Sequence, residues 1–190
     1  MVNVMNAKVI RAADRYLVSD NVRLRLISLS DCNKQYVAWL NDPEVNQYLE
    51  TRWHKQTASM VVEFVTAQLA SDNSYLFAII EKKSDKHIGN IKLGPINFHH
   101  QNAEISYFIG DKACWGRGYA RQALRCVVAF AFNVLSLHCL KAGVYAENKA
   151  SINVLASAGF QRIGCYPRAM QSSNGWEDHV LFALLNNTDK

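Results

Sequence analysis

Apolar and basic residues alternate from Val22 to Ile27, with Val22, Leu24 and Leu26 set against Arg23 and Arg25. That period of two predicts a half-buried strand. Ser30 or Asp31 can cap a helix running to about Leu40. Asn41-Asp42-Pro43 stops it, because proline lacks an N–H and restricts the residue before it. A second helix is predicted over Thr57 to Ala70. Three strands follow, Tyr75 to Glu81, His87 to Ile96 and Ala103 to Ile109, separated by short polar links. Such links join antiparallel neighbours, since a parallel crossover needs about a dozen residues or more.

The pattern then changes. Gly118 to Val134 reads as a helix with Ala120, Ala123, Leu124, Val127, Val128 and Ala131 on one face. Cys139 to Tyr145 reads as a strand, and Lys149 to Ala158 as a short helix ended by Gly159. Two strands, near Phe160 to Cys165 and His179 to Leu185, close the chain. The predicted order is strand, two helices, three antiparallel strands, βαβα and a final pair. Residues 1–20 read as an N-terminal extension, partly helical, and 21–190 as one domain.

Composition narrows the function more than the fold. A chain of 190 residues, 49% hydrophobic and 19% charged, suits one soluble domain with one core. The net charge of +5 favours an anionic ligand but is too small to argue for nucleic acid. No apolar run is long enough to cross a bilayer, and residues 1–20 have no h-region or cleavage site. Five scattered cysteines never form a CxxC pair, so the plain expectation is reduced thiols in a cytoplasm, with neither metal nor disulfides.

Trp115-Gly116-Arg117-Gly118-Tyr119-Ala120 lies between a predicted strand and a predicted helix. Glycines there let a ligand approach the main chain, and the free N–H groups and dipole of the helix start attract an anion. Together they form a pyrophosphate site, with Arg117 and Arg121 near enough to add charge. A P-loop is absent. The dinucleotide fingerprint GxGxxG fails because Arg121 replaces the third glycine and no acid follows near residue 138. A glycine-rich turn that binds nothing remains the plain alternative.

The surroundings add to this. Ala103-Glu104-Ile105-Ser106-Tyr107-Phe108-Ile109, the loop 115–120, Asn148-Lys149-Ala150-Ser151 and Ala158-Gly159-Phe160 resemble, in that order, the GNAT N-acetyltransferase family, in its ribosomal-protein N-terminal acetyltransferase branch. Gly118 and Ala120 match the last two positions of the family loop, while Trp115 stands where Gln or Arg is usual. Trp39-Leu40-Asn41-Asp42-Pro43-Glu44-Val45 also fits, so the similarity spans roughly 22–185. The resemblance implies an α/β (α+β) fold with a mixed, mostly antiparallel sheet of about seven strands flanked by four helices. It also implies acetyl-CoA as co-substrate, a primary amine as acceptor and transfer in a ternary complex.

Carried onto these residues, the resemblance implies that the strand 103–109 pairs with the pantetheine arm. A main-chain N–H near Phe108 and Ile109 polarises the thioester carbonyl. Trp115, Gly116, Arg117, Gly118, Tyr119, Ala120 and Arg121 hold the pyrophosphate. Asn148 caps the following helix and reaches the pantetheine. Glu104 is the general-base candidate, and a solvated strand end or an ion pair is its structural alternative. The tyrosine that many members place seven residues after this asparagine is Leu155 here, so the usual acid is missing. Ser151 is the catalytic residue that remains nearby, unless it only completes the cap. Tyr107 reads as packing and Cys114 as a bystander. The acceptor pocket is expected between 41–53 and the C-terminal strands. Its candidates are Asp42, Tyr48, Glu50, Arg52, Trp53, His54, His99, Tyr166, Arg168, Trp176, Asp178 and His179. A lone histidine there reads as solvated before it reads as catalytic. A non-catalytic acyl-CoA-binding domain is the alternative function. Neither nucleic acid nor membrane is an expected partner, and monomer and homodimer both stay open.

Overall fold

The computed structural model describes residues 13–186. Its seven strands are β1 (Val22–Leu26), β2 (Tyr75–Glu81), β3 (Lys86–Asn97), β4 (Asn102–Ile109), β5 (Cys139–Tyr145), β6 (Gln161–Ser172) and β7 (Gly175–Leu185). They form one sheet in the order β1-β2-β3-β4-β5-β7-β6. The short links after β2 and β3 do give antiparallel neighbours, and only β4 and β5 run parallel. The helices are α1 (Lys34–Asn41), α2 (Pro43–Asn46), α3 (Ala58–Ala70), α4 (Tyr119–Asn133) and α5 (Lys149–Ser157).

Helices cover the two faces of the sheet unequally. The apolar stripe of α4, including Ala123, Leu124, Val127, Phe130 and Ala131, is buried with Phe77, Leu140 and Leu155 in the larger core. Tyr36, Trp39 and Leu40 of α1 and Val61 and Val65 of α3 form a smaller core on the opposite face. β2 lies between the two, and all seven of its residues are buried. That is why its sequence, YLFAIIE, shows a continuous apolar run instead of an alternation. In β4 the alternation is visible. Ala103, Ile105, Tyr107 and Ile109 join the larger core. Phe108 joins the smaller one, while Glu104 and Ser106 are exposed.

The structure revises several expected boundaries. The expected extension over 1–20 divides. Residues 1–12 lie outside the described residues, whereas Ala13 and Leu17 are buried in the larger core and Val18 bridges to Arg23. The first helix begins later than Ser30 or Asp31 because the Asp31 carboxylate is already engaged. It accepts from Arg25 at 2.6 and 2.7 Å and from the Ser28 N–H at 2.8 Å, so Asn33 caps α1 instead. Pro43 does end that helix, but it also occupies the first turn of the unexpected α2, capped by Asp42. The final strands are longer than expected. β6 passes through Pro167 with a register shift between Tyr166 and Met170, which an edge strand tolerates.

Candidate active site

Parallel strands β4 and β5 pair at only three positions, Asn102↔Cys139, Ala103↔Leu140 and Glu104↔Lys141. Beyond these, β4 stays paired with β3 as far as Ile109, and β5 with β7 as far as Tyr145. The two strands therefore diverge, and the main-chain edges of 105–109 and 142–145 face each other across an opening. The Gly110 N–H donates to the Ile88 carbonyl at 2.8 Å. Successive strand residues direct their N–H groups to opposite edges, so those of Tyr107 and Ile109 point into the opening. The Phe108 N–H belongs to the β3 ladder, which of the two expected donors leaves Ile109. Its carbonyl, on the same edge, accepts from the Trp115 indole at 2.8 Å.

The loop after β4 closes one end of the opening. Gly116 and Gly118 have φ of 72° and 75°, a left-handed conformation that costs other residues about 1–2 kcal/mol. A Cβ on Gly116 would meet nothing within 4 Å, so the torsion, not crowding, calls for glycine there. Gly118 is the N-cap of α4 and supplies no side-chain cap. The first-turn N–H groups therefore gain no partner from the cap, and an anion suits them. The Arg121 guanidinium comes within 3.7 Å of a Cβ built on Gly118. Arg117 lies 3.7 Å from Glu81, which also accepts the Tyr119 hydroxyl at 2.7 Å. Tyr119 is thus turned inward, anchoring the loop to β2, while Gly116, Gly118, Ala120 and Arg121 surround the helix start.

α5 faces the opening from its other side. The Asn148 side chain accepts the Ser151 N–H at 3.0 Å, the expected cap. The Ser151 and Tyr107 hydroxyls are 2.9 Å apart, tying α5 to β4. Burial pushes Tyr107 up to about 12, against a lowering by the Ser151 hydrogen bond, so its hydroxyl stays protonated. Leu155 is fully buried and belongs to the core. Cys114 is buried too, and burial followed by Asp111 and Glu81 raises its thiol. It is therefore a poor nucleophile.

The face of β4 and β5 away from α4 carries different groups. Glu104 is exposed and makes no hydrogen bond or ion pair among the described residues. It lines a shallow groove of 660 Å³ with Lys141, Asn73, Pro95, Phe98 and His99. At the other end of β5 the Tyr145 hydroxyl donates to Glu50 at 2.6 Å and accepts from Arg52 at 2.9 Å. Burial first, then the Glu50 hydrogen bond, pushes Tyr145 up to about 12. The Arg52 guanidinium lies 4.4 Å from the Trp53 ring centre and 4.8 Å from that of Tyr145. It also reaches the Gln171 carbonyl, and its Nη1 is buried without a partner. The Tyr48 ring lies 5.5 Å from that of Tyr145, tilted by 46°. Three residues expected in the acceptor pocket, Tyr48, Glu50 and Arg52, thus contact Tyr145, and Trp53 packs on Arg52; the sequence did not single out Tyr145. Its signal was a position at the C-terminal end of the parallel strand, where open α/β sheets place ligands. Asp42 is elsewhere, capping α2 and pairing with Lys112 at 2.9 Å.

No group of three or more metal-ligating side chains occurs among the described residues, and no helix there is long and apolar enough to cross a membrane. The family model of the acetyltransferase (GNAT) domain matches residues 21–161. The probable N-acetyltransferase YjcK of Bacillus subtilis is 39% identical over 124 residues, which is 65% of this chain and 68% of that protein. The fold matches the spermidine N-acetyltransferase of Vibrio cholerae in complex with CoA and spermine, with a TM-score of 0.79 and 20% identity over 88% of this chain and 96% of that one. It also matches RimL, the ribosomal L7/L12 alpha-N-protein acetyltransferase, in complex with coenzyme A, with a TM-score of 0.79 and 17% identity over 90% and 98%. A diverging β4–β5 pair that ends on a two-glycine helix cap is therefore set in a matching family domain, and the chain belongs to the GNAT family as an N-acetyltransferase that uses acetyl-CoA.

Proposed function

We propose that this enzyme transfers the acetyl group to a primary amine by direct attack, with both substrates bound at once. The observation that carries the reading is the split between β4 and β5, which has the helix cap at its end and, on its other face, the exposed Glu104 carboxylate, unpaired among the described residues. Acetyl-CoA supplies the activated acyl group. The chain's part is to hold and orient it: the Tyr107 and Ile109 main chain along the pantetheine arm, the first turn of α4 and Arg121 at the pyrophosphate, and Asn148 beside the arm. An N–H fixed in the opening stabilises negative charge that develops on the carbonyl oxygen.

The acceptor must attack as a neutral amine. An α-amine titrates at about 7.7–8.0 and a lysine-type amine at about 10.4, so a carboxylate that takes the proton raises the reactive fraction. Glu104 is that base, directly or through water. A thiol titrates at about 8.5 and leaves readily as thiolate, so no enzyme nucleophile is needed and Cys114 takes no part. The spermine bound to one structural relative and the ribosomal protein in the name of another both present primary amines, and that class is proposed here. The test is free-thiol release and acetyl mass gain with spermidine, peptides bearing free N-termini and an amino-sugar nucleotide. One or more should be acetylated. If acetyl-CoA raises the melting temperature but no amine releases thiol, the chain is an acyl-CoA-binding domain instead.

A further inference from the structure

The face of the sheet that carries Glu104 also carries a histidine. β7 places His179 opposite Tyr145 of β5. Its imidazole does not stay over β7 but lies across β5, against Gly143. A Cβ built on Gly143 would collide with its Nε2 and lie 2.7 Å from its Cε1. Glycine at 143 is thus a matter of space: it admits the ring. Gly143 shares the face of Lys141 and Tyr145, because strand side chains alternate. Lys141 is the last β5 residue paired with β4, and its partner is Glu104. Gly143 is therefore the first position on this face past the point where the strands part. Taking about 3.3 Å per residue and about 4.8 Å between strands at their last pair, the Cα atoms of Glu104 and Gly143 are at least about 8 Å apart across the mouth of the opening.

The imidazole is half-buried, and neither ring nitrogen has a hydrogen-bond partner among the described residues. The groups facing it are the Tyr166 ring on β6, 6.1 Å away, and Tyr145 with Glu50 and Arg52 on one side. Lys141 and Glu104 lie on the other. The Asp178 carboxylate is occupied by the Arg168 N–H at 3.0 Å.

We propose that His179 is the second proton-transfer group of the reaction, on the acceptor side that Glu104 shares. The inference rests on the amine-acetylation reading. An ammonium carries three protons and the product amide one, so the nitrogen sheds two. Glu104 takes the first before the C–N bond forms and releases it to water. His179 takes the second as the C–S bond breaks with its electron pair on sulfur, and gives that proton to the departing thiolate. The products are amide, thiol and one released proton. His179 thereby fills the acid role left open by Leu155.

The test compares His179→Gln and Gly143→Ala with the wild type, using the amine that gives the fastest thiol release. The glutamine keeps bulk and polarity but cannot carry the proton, and the alanine displaces an unaltered imidazole. Both variants should lower the single-turnover rate at least about tenfold while leaving KM for acetyl-CoA within twofold. The proton inventory in mixed H₂O and D₂O should bow for the wild type and become linear for His179→Gln. Independently of turnover, the histidine Cε1–H resonance that His179→Gln abolishes should move when coenzyme A is added to the wild type. Rates within twofold of wild type, an unchanged inventory or an unmoved resonance would each overturn the role of His179 and leave amine acetylation standing. A wild type that acetylates no amine overturns both.

Discussion

The two faces of β4 and β5 are built from different materials. Toward α4 and α5 the candidate site is main chain: strand edges left facing by the split, the helix cap at Gly118 and the cap at Asn148, all between residues 102 and 151. On the other face it is side chain: Glu104, Tyr145, Glu50, Arg52 and His179, drawn from four separated stretches. A main-chain site is set by the path of the backbone and changes little when side chains are substituted. A side-chain site can be rebuilt residue by residue, as suits acceptors that differ between relatives.

The largest separation of the two faces is expected from Gly118→Val. Its φ of 75° disfavours a β-branched residue, so the cap should distort and coenzyme A binding by calorimetry should weaken more than about tenfold. The fold should lose only about 1–2 kcal/mol in chemical denaturation. Glu104→Gln should do the opposite, lowering kcat about 100-fold with unchanged coenzyme A affinity. Equal losses in binding and turnover would show that the faces are not independent.

Asp31 lies in neither face and serves as the reference for pure stability. Burial raises its carboxyl, but hydrogen bonds from Arg25 and Ser28, with the Arg25 charge, outweigh that and hold it at about 2 instead of 3.8. A group held low in the folded state stabilises above its unfolded pKa and loses that contribution as pH falls through the folded one. Some 2 kcal/mol should therefore disappear between about pH 4 and pH 2. Asp31→Asn should remove that stretch of the unfolding profile and leave kcat at neutral pH within twofold. Tyr145→Phe is the smallest chemical change, removing one oxygen. Losing the hydroxyl between Glu50 and Arg52 should cost about 1–3 kcal/mol in thermal unfolding and raise the acceptor KM without altering that for acetyl-CoA. A rise in the acetyl-CoA KM instead would assign Tyr145 to the wrong face.

The same division governs what the sequence could reveal. The elements of the main-chain face were legible because they are contiguous: a strand ending at Ile109, two glycines and an asparagine before a helix. Even there the sequence left the donor between Phe108 and Ile109, since only the register shows which N–H faces the opening. Glu104 was legible from its strand, and the 48–53 segment from its polar and aromatic content. Tyr145 and Gly143 were not. Both fall inside the strand predicted over Cys139 to Tyr145, and their surroundings depend on β7 arriving from more than thirty positions later. The late start of α1 was equally hidden, because it follows from Arg25 reaching Asp31 across a turn.

Three residue pairs are all the ladder that joins the β1–β4 half of the sheet to the β5–β7 half. A chain-like ligand with amides of its own, laid along the seam, would act as an added strand and convert two sub-sheets into one cooperative unit. Amide hydrogen exchange should then slow on both banks at once, at 105–109 and at 142–145, although the banks belong to different halves. The protein would bind its acyl donor by finishing its own sheet.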